Sequence, residues 1–125
     1  MELESLFVAT KWDILQAIAY EPLSPMQLAK KLNTTIANIS AQLRLLEASR
    51  LIKREKTGSA KAGKPRTLFS LANNVSYLTV LFSGLAHKEL IEVDPTQQAI
   101  ITTWTLPKRY QQPLLRYIIN HADLL

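Results

Sequence analysis

The sequence predicts an α+β fold, mainly α, organised on a helix-turn-helix. Three observations lead there. In Thr34 to Leu51, TTIANISAQLRLLEASRL, the apolar residues Ile36, Ile39, Leu43 and Leu46 are spaced three, four and three, so they draw one buried stripe along a helix. Just upstream, Ser24-Pro25-Met26-Gln27 combines a serine cap, a proline at the first helical position and a glutamine at capping-box spacing, which starts a second helix. Further on, residues 75–93 hold a run of strand formers, Val75, Tyr77, Thr79, Val80 and Phe82.

Taken in order, the first helix is expected over Glu4 to Tyr20, with Phe7, Lys11, Ile14, Leu15 and Ile18 along one side and Trp12 on another. Glu21-Pro22 stops it, because a proline disfavours helix in the residue before it. Leu3, Leu6, Phe7 and Trp12 exceed what a three-helix core needs, so they are expected to pack on the C-terminal segment or on a second subunit. In the second helix Leu28, Ala29 and Leu32 face the core, and Asn33-Thr34 make the turn. The third helix leaves Thr35, Asn38, Ala41, Gln42 and Leu45 on its other, mild faces.

From Leu32 through Asn38, Ile39, Ser40, Gln42, Leu43, Leu46, Glu47 and Ala48 to Leu51-Ile52, the stretch resembles the helix-turn-helix of ArsR-type winged-helix transcription regulators. The resemblance covers about half the chain. It implies that the third helix lies in a DNA major groove. It also implies a β-hairpin wing after that helix: a strand in Leu51 to Lys56, a polar tip from Thr57 to Pro65, and a return strand from Arg66 to Leu71. Two positions depart from the family. A basic residue is common where this chain has Ala41, and a glycine where it has Arg50, which asks an arginine for the left-handed conformation that glycine takes easily.

Residues 75–93 suit two strands, 75–82 and 87–93, bent at Gly84, with a slight preference for strands because Val75, Leu78, Phe82, Leu85 and Glu89 also suit a helix. Asp94-Pro95-Thr96-Gln97 repeats the cap, proline and glutamine pattern and opens a helix with Ile100, Ile101 and Trp104 that stops before Pro107. A last helix begins between Pro107 and Pro113 and is densely apolar through Leu114, Leu115, Tyr117, Ile118 and Ile119. The expected organisation is therefore a winged helix-turn-helix over residues 1–72, with a three-helix core and a hairpin wing. A C-terminal extension over 73–125, with possible strands at 75–93 and helices near 95–106 and 108–122, packs on the same domain and serves dimerisation.

Charge points to the partner. The formal net charge is +5, and the segment 44–66 alone carries eight basic residues against Glu47 and Glu55, a local +6. Such a patch on the third helix and the wing is the footprint of a phosphate backbone. Thr35, Asn38 and Gln42 are the candidates for base edges, with Thr34 beside them at the turn, since Asn and Gln pair with adenine and Thr meets a thymine methyl. Ser40 and Arg44, then Lys53 and Arg54 on the first strand and Lys61, Lys64 and Arg66 around the wing tip, are the candidates for phosphate or minor-groove contact.

Other chemistry finds little footing. There is no cysteine, and His87 and His121 are the only histidines, without a His-x-x-x-His pair, so neither a metal site nor a cofactor is expected. No phosphate-cradling glycine loop, nucleophile elbow or pair of carboxylates in a polar setting suggests an enzyme. The aromatic residues could line an effector pocket, but such stripes are more often core or interface, so a small-molecule effector is not indicated. The acidic start and the lack of an apolar run near 18 residues read as a soluble cytoplasmic protein. The expected partners are double-stranded DNA and a second copy of the chain, with no membrane. The function read from this is a sequence-specific regulator of transcription, more simply a repressor. A protein-interaction module and a nonspecific architectural DNA binder are the alternatives.

Overall fold

The computed structural model describes residues 2–57 and 66–122. Among them the order is a 3-10 turn (Leu3–Phe7), α1 (Ala9–Ile18), α2 (Pro25–Lys31), α3 (Ile36–Ala48), β1 (Ile52–Thr57), β2 (Arg66–Leu71), β3 (Val75–Phe82), β4 (Leu85–Glu92), α4 (Pro95–Trp104) and α5 (Lys108–Asn120). The chain divides into two compact units, Met1–Asn73 and Asn74–Leu125.

The first unit is a winged helix-turn-helix, α+β and mainly α. Its core is made of Ile14, Leu15 and Ile18 from α1, Leu28 from α2, Ile39, Leu43 and Leu46 from α3, and Leu51, Ile52 and Phe69 from the wing base, all buried. The Ser24 capping box forms with both bonds: the Gln27 N–H donates to Ser24 Oγ at 3.2 Å and the Ser24 N–H to Gln27 Oε1 at 2.8 Å. The turn between α2 and α3 closes on Asn33, whose φ of +53° is one that asparagine tolerates. There the Thr34 N–H reaches the Ala29 carbonyl and the Asn33 N–H that of Lys30, a Schellman pair. The same motif ends α3: Arg50 stands at φ +63°, its N–H on the Glu47 carbonyl and that of Leu51 on the Leu46 carbonyl. Leu46 and Leu51, which the motif brings together, are both buried.

β1 and β2 pair antiparallel, with Ile52 opposite Leu71 and Arg54 opposite Phe69. Leu23 adds a third piece to this sheet by exchanging both backbone bonds with Phe69, at 3.1 and 2.8 Å. The entry to α2 is thus tied to the wing.

Two sequence expectations are corrected here. The continuous first helix is broken: Val8 is extended and Ala9 has φ +54°. The break accompanies burial of Leu6, worth about 1.5–3 kcal/mol, against roughly 1–2 kcal/mol for one left-handed alanine, so burial wins. Ile36, assigned to the buried stripe, is 48% exposed. It is the first residue of α3, where helical side chains point back past the end of the helix and away from the core.

In the second unit β3 and β4 form an antiparallel hairpin, Val75 opposite Glu92 and Phe82 opposite Leu85. Gly84 takes φ +95° in its two-residue turn, where left-handed backbone favours glycine. Asp94 caps α4 with a second complete capping box. α5 runs through Pro113, which removes one helical hydrogen bond. Its end is closed by His121, whose ring stacks on Tyr117 at 4.2 Å. Among the described residues, no helix is long and apolar enough to cross a membrane.

Candidate nucleic-acid interface

The expected contact residues sit on three neighbouring parts of the first unit. At the start of α3, Thr35 is the N-cap and its Oγ1 accepts the Asn38 N–H at 3.0 Å. One turn along, the Asn38 Nδ2 donates to Thr34 Oγ1 at 3.0 Å, and the Gln42 Nε2 donates to Asn38 Oδ1 at 3.3 Å. Thr34, Asn38 and Gln42 therefore form one ladder at four-residue spacing. Each is half-buried, while Thr35, Ile36, Ala37 and Ala41 are exposed. The open face of α3 is mild and partly apolar.

Between α3 and the wing lies a cavity of about 260 Å³ lined by Ser40, Leu43, Arg44, Arg54, Thr67 and Phe69, with Pro25 at the same site. It brings Ser40 and Arg44, the expected phosphate contacts of the helix, to the base of the wing. Arg54 is not a loose surface cation. Its Nε and one terminal nitrogen each meet a Glu47 carboxylate oxygen at 2.7 Å, and its guanidinium lies 5.4 Å from the centre of the Phe69 ring. This bidentate pair joins the last turn of α3 to β1. The Arg54 hydrogen bonds hold the Glu47 carboxyl below its ordinary pKa and raise that of Arg54 in turn. Lys53 stands 3.5 Å from Glu55.

Arg44, Arg50 and Lys56 have no carboxylate partner among the described residues. Arg66 is the exposed first residue of β2. Lys61 and Lys64, expected at the wing tip, lie outside the described residues. Sequence reasoning missed the Glu47–Arg54 pair and the Leu23–Phe69 bridge. Seven residues and a helix end separate Glu47 from Arg54, so no helical spacing rule flags them. Leu23 lies between Pro22 and the capped start of α2, and nothing in that local pattern points to Phe69 as its partner.

Among the described residues, no cluster of three or more His, Cys, Asp or Glu side chains could hold a metal ion. Two capped helices across a tight turn, followed by a hairpin packed on the second of them, define the winged helix-turn-helix class. Residues 9–62, from α1 into the wing, match the family model described as the MarR family. No curated protein matches the chain. The match supports a winged-helix regulator but not the ArsR subgroup that the α3 pattern resembles. The residues behind that resemblance are apolar and small polar positions that the helix-turn-helix packing itself requires, so they do not separate subgroups.

Proposed function

We propose that this chain is a sequence-specific double-stranded DNA-binding regulator of transcription that acts as a homodimer in the cytoplasm. α3 enters the major groove and the wing follows the phosphate backbone. The observation that carries this reading is the coincidence of place: among the described residues Arg44 lies on α3, Arg50 just after it, and Lys53, Arg54, Lys56 and Arg66 on β1 and β2. A positive field on a capped, groove-sized helix and its wing suits a duplex better than any other partner. Likeness to the MarR family over residues 9–62 supports the same assignment. Thr35 and the Gln42 end of the Thr34–Asn38–Gln42 ladder supply base contacts, and Ser40, Arg44, Lys53, Lys61, Lys64 and Arg66 supply backbone contacts, with Arg54 bracing the wing. Repression by blocking a promoter is the simplest mode of action for such a dimer.

The second unit supports the dimer. Tyr110, Leu114 and Tyr117 are 46%, 39% and 58% exposed and recur at four and three residues, one stripe along α5. Lys108 and Arg116 lie at other angles around the helix, while the Arg109 guanidinium lies 4.7 Å from the centre of the Tyr110 ring, so the stripe is apolar with one cation at its N-terminal end. A second copy of the same stripe is its natural cover, and a two-fold dimer of this kind suits a site made of two inverted half-sites.

The alternative is a winged helix turned protein-interaction module, favoured by Ala41 and the mild face of α3. Selection of bound fragments from genomic DNA at physiological salt, with the mass in solution measured alongside, separates the two. Enrichment of a short inverted repeat by a dimer is the expected result. Binding without enrichment would mean an architectural role, and no binding would favour the interaction module.

A further inference from the structure

Asn38 and Gln42 look equivalent in sequence, since both are carboxamides on one face of α3. Their hydrogen bonds make them different. Each end of the Asn38 amide already holds a partner: the nitrogen donates to Thr34 Oγ1 and the oxygen accepts from Gln42. Only one end of Gln42 is used, by the single bond from its Nε2 to Asn38. Its Oε1 and second N–H have no partner among the described residues. That free pair, one acceptor and one donor on the edge of a planar amide, matches N6 and N7 of adenine.

We infer that Gln42 reads an adenine in the major groove, and that Asn38 and Thr34 are positioning residues that hold its carboxamide in the reading orientation. The inference rests on the reading of α3 as the recognition helix and names which side chain discriminates. Pre-ordering matters for a glutamine because its long side chain otherwise gives up rotamer freedom when it binds. The ladder fixes that side chain before DNA arrives. Thr34 is the far end of the ladder and acts on the base only through two other side chains, so its effect separates positioning from contact.

The test is a selection of bound duplexes from a random pool by the full chain and by Gln42→Ala, Asn38→Ala, Thr34→Val and Thr34→Ser. Gln42→Ala is expected to lose preference at one A·T pair by roughly 5- to 150-fold, the range of a bidentate contact. Asn38→Ala and Thr34→Val are expected to weaken preference at that same pair by at least about twofold, leaving the other positions of the motif unchanged, and Thr34→Ser to restore it by keeping the hydroxyl. A merely structural role for Thr34 would lower affinity for all sequences together. If the wild type enriches a motif but Thr34→Val matches it, or if Gln42→Ala acts at a pair other than A·T, the inference falls while the regulator stands. If the wild type enriches no motif, the sequence-specific reading falls and takes the inference with it.

Discussion

In the first unit Ile14, Leu28, Ile39 and Leu46 are shut from solvent, and three helices and the wing base each contribute to the same core. In the second, Ile118 and Thr103 are the only buried residues among those described, while Leu81, Phe82, Trp104, Tyr117 and Ile119 are more than half exposed. The lengths of the units do not differ enough to explain this. The difference is in kind. A helix-turn-helix closes on itself because its stripes converge, whereas a two-stranded hairpin and two helices leave each element with one face uncovered. The first unit closes its own core, while the second leaves apolar side chains open.

That contrast can be broken most directly in the core. Leu46→Ala is expected to cost about 2–5 kcal/mol, the range for a buried leucine truncated to alanine. Denaturant titration of the full chain checks this, and a midpoint shift independent of protein concentration is the signature of a core that needs no partner. The next largest effect is expected on the open face. Leu114→Glu would set like charges together in the α5 stripe and weaken self-association about a hundredfold or more. Sedimentation across a concentration series measures it. If the variant stays dimeric, the α5 stripe is not the seam.

The same contrast explains what could be read from the sequence. Caps were legible because their bonds are local: Ser24 and Asp94 each need only a glutamine three residues on, and both boxes form. The stripe of Ile39, Leu43 and Leu46 was legible because helical period and burial agree there. Ile36 was misread because period is blind to where a helix ends relative to its neighbours. The break at Val8 and Ala9 has no glycine or proline to announce it and depends on burying Leu6. Residues 75–93 were ambiguous because the hairpin carries apolar residues on both faces, Tyr77 and Leu81 on one and Leu78 and Phe82 on the other, which blurs the alternation of a half-buried strand. Of the candidate site, the residue types could be read, but not which were already bonded. The Glu47–Arg54 pair and the ladder of Asn38 are tertiary and rotameric facts.

A smaller effect is expected where the first unit departs from its own best geometry. Arg50 holds the left-handed position that closes α3, and Arg50→Gly is expected to raise stability by about 1 kcal/mol in denaturant titration. If stability falls instead, the arginine side chain contributes more than its backbone costs. Arg44 sharpens the comparison through salt. Arg44→Ala is expected to lower the slope of log affinity against log salt by about one and to weaken all duplexes alike. Arg116→Ala in the second unit is expected to leave the slope unchanged. Equal changes in both would mean that the basic field is not confined to the first unit.

The smallest effect concerns the joint between α3 and β1. Arg54 hydrogen-bonds the Glu47 carboxylate and holds its pKa below the ordinary value of 4.5, so the folded state prefers the ionised form. The contribution of the pair is therefore complete above about pH 4.5, where the unfolded carboxyl is also ionised, and is lost as pH falls through the lowered folded value. Both side chains remain partly open to water, at 56% for Arg54 and 30% for Glu47, which keeps the contribution small. Melting temperatures of wild type and Glu47→Gln at about pH 7 and pH 3.5 isolate it. The wild type is expected to be the more stable at neutral pH and to converge on the variant in acid. A constant gap would mean that Glu47 acts by packing rather than by charge. Convergence would make this ion pair the electrostatic fastening between α3 and β1.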